Sequence, residues 1–196
     1  QGEIPEGMEK RPVDNVSWDD GAAFCAWDGN KRLPTEAEWE HACRGLAEGQ
    51  QYAWGNAAPT ARLAVFGLAN GALDVGAQEH NSFRIYDMLG NVREWTLDQY
   101  EPYTAAAAEN PWVMSKTSHP HAVRGGSWHD PAEAVNCTVR VASAPMWKIL
   151  DPQLPKSVGY MTNAHCLGCR LVPPAKLPRA GVMHNGCEIA GQIDPY

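Results

Sequence analysis

The sequence predicts a loop-rich α+β domain with two helices and several short strands. Ser17 and Thr35 are each followed three residues later by an acid, the side-chain pattern of a helix N-terminus. Short stretches of β-forming residues, bounded by Gly or Pro, occur in the second half of the chain. The 196 residues include 18 Gly and 15 Pro, which is typical of a chain held together largely by loops.

The two helices are predicted from their first turns. The first begins after Ser17 and continues through an apolar segment until Asp-Gly-Asn at 28–30 ends it. The second begins after Thr35, directly behind a proline, and runs to about residue 44, before Gly45.

The four-residue spacing of side chains in the second helix defines two faces, one apolar and one acidic. Trp39 and Cys43 are four residues apart and share the inner face. Glu36 and Glu40 share another face, which we expect to be solvated.

A long coil separates the helices from the strands. Residues 47–83 show turn chemistry and little regular pattern, so this coil needs an element that holds it in place, and the segment 84–97 is the candidate. Short strands are predicted at 92–96, 122–124, 138–142 and 168–172. We expect a tail over residues 1–12, one domain over 13–175 and a C-terminal extension over 176–196.

Composition and charge exclude several classes of function. The net charge of −7 argues against a nucleic-acid-binding surface and against acidic lipids as partners. No run of 18 apolar residues predicts a membrane span. No charged-then-apolar leader begins at Gln1, so we expect any export signal to have been removed. Six cysteines in a loop-rich chain favour an oxidising compartment, the periplasm or the extracellular space, over six reduced thiols in the cytosol.

Five segments in order resemble the formylglycine-generating enzyme (sulfatase-modifying factor) family. They read NVSWDD, RLPTEAEWE, YDMLGNVREW, RGGSW and LGCR, at residues 15–20, 32–40, 86–95, 124–128 and 167–170. The resemblance implies a compact α+β fold related to C-type lectins. The strand and early helix with which that family's domain begins are not recognisable here. This implies either a partner chain that supplies them or a divergent boundary at residues 1–12.

The resemblance also implies a structural calcium ion at residues 87–94. Carried over to this sequence, Asp87 and Glu94 supply carboxylate oxygens, while Gly90 and Val92 supply backbone carbonyls. Such a set suits Ca²⁺, which prefers oxygen ligands that include carbonyls on a turn. The simpler interpretation is a turn before a strand, with Glu94 solvated.

The six cysteines allow two interpretations. The resemblance implies that Cys43 pairs with Cys137, and that Cys25 pairs with a residue near the C-terminal strand. Leu171 occupies the family's position there, so we expect Cys169, two residues earlier on the same side, to pair with Cys25. Cys166 and Cys187 then remain to fix the tail. The alternative is a structural zinc site formed by Cys166, Cys169, His184 and Cys187.

A catalytic centre of the family's copper type is not expected. The enzymes that give the family its name bind copper through two cysteines shortly after the Arg-Gly-Gly-Ser motif, and residues 129–136 contain none. The remaining candidates are Ser127, His129 and Asp130, of which the last two could act as a base or as half of a metal site. A surface turn is the simpler interpretation of these residues.

Two functions follow from these observations. The first is an exported, non-catalytic accessory or binding subunit that docks on a larger protein assembly. The second is a metal-dependent oxidase or protein-maturation enzyme that uses a second metal at a site other than a copper dithiolate. Glycan binding through calcium would fit the lectin kinship, but the sequence offers no open carboxylate-amide site for it.

Overall fold

Four short strands form one mixed sheet, and two helices pack against it. The computed structural model describes residues 4, 6–46, 49–104, 108–148 and 166–173, so the predicted extension at 176–196 lies outside the described residues. The elements are α1 (Trp18–Trp27), α2 (Glu36–Arg44), β1 (Arg93–Gln99), β2 (His121–Arg124), β3 (Arg140–Ala142) and β4 (Leu167–Cys169), with single 3-10 turns at Ala132–Ala134 and Pro145–Lys148. Both predicted helices and all four predicted strands are therefore present, with small shifts at their ends.

Both helices begin at the predicted capping residues. The Ser17 hydroxyl accepts a hydrogen bond from the Asp20 amide at 3.0 Å, and the Asp20 carboxylate accepts one from the Ser17 amide at 3.0 Å. Thr35 and Glu38 make the same reciprocal pair at the start of α2, at 3.2 and 2.8 Å. These bonds satisfy amides that have no partner within the first turn of the helix.

The sheet has the strand order β3-β2-β1-β4. β1 pairs antiparallel with β2 and parallel with β4, and β2 pairs antiparallel with β3. Glu94 on β1 stands between Arg124 of β2 and Gly168 of β4. The sheet thereby brings the 84–95 motif between the two other motifs of the second half of the chain.

The hydrophobic core consists of two main clusters of buried side chains. Trp39 and Cys43 are buried in the first, as the helix spacing predicts, together with Cys137. Cys43 and Cys137 form the predicted disulfide, with an S–S distance of 2.02 Å. The second cluster contains Cys25 of α1 and Trp95 of β1. Among the described residues, no helix combines the length and the apolar character needed to cross a bilayer.

Glu36 and Glu40 are not solvated as expected. Glu36 is 5% exposed, and its carboxylate accepts hydrogen bonds from the guanidinium groups of Arg124 and Arg140. Glu40 pairs with Arg124 and Arg44. The expectation was wrong because these arginines come from β2 and β3, far along the chain, and bring their charge to this face of α2.

The turn before β1 holds the long coil in place, as predicted. The Asn91 side chain both accepts a hydrogen bond from the Leu73 amide (2.9 Å) and donates one to the Leu73 carbonyl (3.1 Å). Its backbone amide donates to the Val65 carbonyl at 2.8 Å. Gly90 lies so close to Val65 that a Cβ at this position would meet the Val65 carbonyl oxygen at 2.2 Å. The coil is therefore fixed at two points by adjacent residues of one turn.

Candidate functional site

The candidate calcium turn is tightly folded. Asp87, Gly90 and Asn91 all adopt positive φ angles, of 54°, 77° and 62°. Three such residues within five reverse the chain sharply and give the backbone a conformation that favours Gly and Asn. The two proposed carboxylate ligands, Asp87 and Glu94, both line the same cleft.

The Glu94 carboxylate is buried and already holds several donors. Its Oε2 accepts hydrogen bonds from the Trp39 indole at 2.7 Å and from Arg170 Nε at 3.0 Å, and its Oε1 accepts one from Arg170 at 2.8 Å. The same guanidinium also donates to the Tyr86 and Asp87 carbonyls. The Glu94 carboxylate raises the pKa of Arg170, so the Arg170 guanidinium stays charged. The simpler interpretation of Glu94 as solvated was therefore wrong.

The Asp87 carboxylate, unlike that of Glu94, is not held by an arginine in the described part of the chain. Its carboxylate accepts a hydrogen bond from the Gly76 amide at 2.6 Å, and no Lys, Arg or His in the described part of the chain forms an ion pair with it. Burial raises its pKa above the ordinary value, and the charge of Glu94 acts in the same direction, whereas Arg170 opposes both. A carboxylate in this position would be stabilised by an added cation.

The donor set fits calcium in chemistry. Within the described residues, Asp87 offers a carboxylate without an ion-pair partner, and Glu94 Oε1 accepts one hydrogen bond, from Arg170, which leaves it a lone pair. The neighbouring turn can add the carbonyls of Gly90 and Val92, the kind of ligand that calcium accepts. Because Arg170 neutralises part of the charge of Glu94, the site would be a weak one, since affinity rises with the number of charged ligands.

Ser127 and Asp130 form a closed hydrogen-bonded loop. The Asp130 carboxylate accepts hydrogen bonds from the Ser127 hydroxyl (2.7 Å), the Ser127 amide (2.8 Å) and Arg93 Nε (2.9 Å). Although burial raises the pKa of Asp130, the bonds from Arg93 and Ser127 outweigh it and lower the pKa below the ordinary value. Ser127 has no exposed surface and Asp130 is 8% exposed. Both residues therefore stabilise the loop and do not form an open catalytic pair.

His129 does not join Asp130 in a site. Its side chain is exposed and contacts the Trp128 ring at a centroid distance of 5.4 Å, while the Asp130 side chain turns inward to Arg93. Adjacent residues in a tight turn point in different directions, which explains why the sequence neighbours do not act together.

The structure brings an unexpected thiol to Ser127. Cys166, just before β4, packs with Val65 and Trp128 and contacts the Ser127 hydroxyl. Burial raises the pKa of Cys166, so the neutral thiol is favoured. Only the long-range pairing of β4 with β1 reveals this neighbour, and the sequence offers no local signal for it.

The expected roles of the remaining cysteines need correction. Cys25 and Cys169 lie in the same cluster, but both are free thiols. Burial raises the pKa of Cys169 to about 11, and the charge of a Cys25 thiolate acts in the same direction. The predicted Cys25–Cys169 disulfide is therefore absent from the structure.

Cys166 and Cys169 do not form a ligand pair for zinc. They contact different clusters because residues three apart on a strand point to opposite faces. Their predicted partners, Cys187 for a disulfide and His184 with Cys187 for zinc, lie outside the described residues. Among the residues that the structure describes, no group of three or more His, Cys, Asp or Glu side chains is arranged to hold a metal ion.

Comparison with known proteins agrees with this architecture. The family described as "Sulfatase-modifying factor enzyme 1-like domain" matches residues 2–149. The chain is 38% identical over 152 residues to the inactive C-alpha-formylglycine-generating enzyme 2 of Bos taurus, covering 68% of this chain and 46% of that protein. It is also 38% identical over 143 residues to the formylglycine-generating enzyme of Streptomyces coelicolor, covering 63% of this chain and 45% of that protein.

A solved structure shows the same fold. PvdO from Pseudomonas aeruginosa superposes with a TM-score of 0.62 at 23% identity, covering 83% of this chain and 61% of that one. The chain thus spans less than half the length of the two curated relatives above and about three fifths of this solved structure.

Proposed function

The chain belongs to the sulfatase-modifying factor (formylglycine-generating) enzyme family, and from that premise we propose that it is a non-catalytic binding subunit that docks on a larger protein assembly. One observation carries the proposal. The segment after Ser127, residues 128–136, contains no cysteine, so the copper-binding thiol pair implied for active members has no counterpart there.

The thiols found nearby do not replace that pair. Cys137 is closed in its disulfide with Cys43, and Cys166 is a single buried thiol whose neutral form is favoured. Copper in the family's proposed chemistry needs two thiolates at one point, because soft anionic sulfur is what stabilises Cu(I). Ser127 and Asp130, the other candidates, are engaged with each other and with Arg93.

The test is an activity assay with a positive control. The purified chain is loaded with copper and incubated with a cysteine-containing peptide that the Streptomyces coelicolor enzyme converts, and conversion is followed by peptide mass. We expect no conversion by this chain and full conversion by the control. Copper-dependent conversion above the enzyme-free background would overturn the proposal.

The docking part of the proposal has its own measurement. Native electrophoresis of cell extracts, probed with an antibody against this chain, should show it in a complex well above its own mass of 21.4 kDa. Migration only as the free chain would contradict the accessory role. The same proposal places the protein in the periplasm or outside the cell, and the Cys43–Cys137 disulfide supports that placement because disulfides persist in oxidising compartments.

We further propose that Asp87 and Glu94 bind a structural calcium ion. The support is the Asp87 carboxylate, which lines the same cleft as Glu94 and forms no ion pair within the described part of the chain. With a dissociation constant of ~1 mM, calcium at ~10 mM would stabilise the fold by about 1.4 kcal/mol. Thermal unfolding with calcium, magnesium or chelator should show stabilisation by calcium alone, and Asp87→Asn should remove it. An equal response of wild type and variant would contradict the site.

A further inference from the structure

Arg170 reaches from the end of β4 into the turn that precedes β1. The parallel pairing of β1 with β4 sets Glu94 beside Gly168. Arg170 lies two residues further along the chain, a spacing that keeps side chains on one side of an extended segment. Its Nε donates to Glu94 Oε2 at 3.0 Å, and its Nη2 donates to Glu94 Oε1 at 2.8 Å. The two side chains therefore form a two-point ion pair.

The same guanidinium also binds the backbone of the turn. Its Nη2 donates to the Tyr86 carbonyl at 3.0 Å and to the Asp87 carbonyl at 3.3 Å. Two carbonyl oxygens and one carboxylate oxygen thus converge on a single cationic nitrogen. Carbonyls of a turn together with a carboxylate are also the kind of ligands that calcium takes. Arg170 therefore occupies part of an oxygen cage that suits a cation.

Arg170 also changes the charge of this group of residues. Asp87 and Glu94 contribute two negative charges and Arg170 one positive charge, which leaves one net negative charge among the three. Without the guanidinium, the two carboxylates would match the charge of a divalent cation. Calcium affinity rises with the charge of the ligands, and a neighbouring cation repels an approaching one. Arg170 should therefore oppose calcium binding at Asp87 and Glu94.

The guanidinium is held firmly in this position. The Arg170 side chain is 27% exposed and the Glu94 side chain 7%. Moving Arg170 away would break its bonds to Glu94 and to both carbonyls of the turn at once. Calcium would therefore have to share Glu94 with the guanidinium or displace it at the cost of these bonds.

We propose that Arg170 is a built-in cation of the turn and that it sets the calcium affinity by occupying the oxygens of Glu94. This inference rests on the proposed calcium site and names the residue that controls its affinity. With Arg170 in place, the turn binds calcium weakly, in about the millimolar range known for extracellular calcium modules. A neutral side chain at position 170 converts the same turn into a tighter site.

Calorimetric titration of the folded full chain with calcium chloride tests the role of the charge. Arg170→Gln removes the charge and should tighten calcium binding at least about tenfold relative to wild type. Arg170→Lys keeps the charge and should stay within about threefold of wild type. Binding by Arg170→Gln that is no tighter than that of wild type, or an equal gain in Arg170→Lys, would overturn the proposal.

Arg140→Gln is the matched control for the loss of a buried arginine. Arg140 forms a two-point ion pair with Glu36, and its side chain is 11% exposed. It does not line the cleft that contains Asp87 and Glu94. This variant should lose stability but keep its calcium affinity within about threefold of wild type. The same gain as in Arg170→Gln would attribute the effect to general loosening of the fold and would overturn the proposal.

A variant that does not fold in the absence of calcium still gives a result. If Arg170→Gln is unfolded in chelator, its circular dichroism is followed as calcium is added to ~10 mM. Recovery of the native spectrum supports the proposal, because the ion then replaces the guanidinium in holding the turn. No recovery overturns it.

The calcium site and the role of Arg170 can fail separately. If wild type binds calcium and Arg170→Gln binds it equally, the site stands and the role of Arg170 falls. If Arg170→Gln alone binds calcium, the wild-type site falls and the role of Arg170 stands. Absence of binding by both folded chains overturns both proposals. The copper assay of the non-catalytic role is independent of all three results.

Discussion

Replacing Gly90 by Ala should destabilise the protein strongly, because this glycine meets two separate requirements. Its φ of 77° costs an L-residue about 1–2 kcal/mol. The added Cβ would also lie 2.2 Å from the Val65 carbonyl oxygen and 3.0 Å from the Val65 amide nitrogen, both backbone atoms that cannot rotate away. Overpacking of this kind costs about 1–3 kcal/mol, so the two costs together should be about 2–5 kcal/mol.

Gly76→Ala is the matched control. Gly76 has nearly the same φ, 73°, but nothing lies within 4 Å of a Cβ built there. It should therefore show only the conformational cost of about 1–2 kcal/mol. Urea unfolding followed by tryptophan fluorescence gives the free energy of unfolding of both variants, provided that the denaturant slopes remain equal. Equal destabilisation would refute the view that close contact with Val65 holds the coil.

Three other predictions concern buried charge and the disulfide. Burial raises the pKa of Asp98 from 3.8 to about 6, so the folded state favours the protonated carboxyl. This preference should contribute on the order of 3 kcal/mol to the free energy of unfolding below pH 4, and the contribution should be lost as the pH rises through 6. Comparing unfolding free energies at low and neutral pH should show this dependence in wild type and not in Asp98→Asn; parallel pH profiles would contradict it. Glu36→Gln should cost about 3 kcal/mol in urea unfolding, because it removes the buried carboxylate that pairs with both Arg124 and Arg140. Glu79→Gln, in an exposed ion pair, should cost less than about 1 kcal/mol, and similar costs for the two variants would show that burial is not decisive. Replacing Cys43 and Cys137 by Ala should lower the unfolding free energy by about 4 kcal/mol, since the bond links residues 94 apart; a loss below about 1 kcal/mol would contradict this.

Local chemistry explains why the secondary structure could be predicted. The two capping pairs, at Ser17 and Thr35, involve residues three apart, and the structure forms both pairs. The burial of Trp39 and Cys43 follows from helical spacing alone. The error at Glu36 has the opposite origin, because its partners Arg124 and Arg140 are 88 and 104 residues away.

The candidate site was predictable only where its residues are close in sequence. The turn that contains Asp87 and Glu94 could be identified from its own motif. The neutralisation of Glu94 by Arg170 could not, since that contact depends on the parallel pairing of β1 with β4. The same pairing carries Cys166 to Ser127 and separates it from Cys169, a result that the spacing of two cysteines cannot reveal.

The turn at Gly90 and Asn91 serves two neighbouring regions at once. One side of it fixes the coil through Val65 and Leu73, and the other side, through Asp87 and Asn91, lines the cleft. A ligand in the cleft that stabilises this turn would therefore also stabilise the packed form of the coil, so ligand binding would oppose opening of the coil. Amide hydrogen exchange in residues 60–76 should slow on ligand binding, even at amides that the ligand never touches.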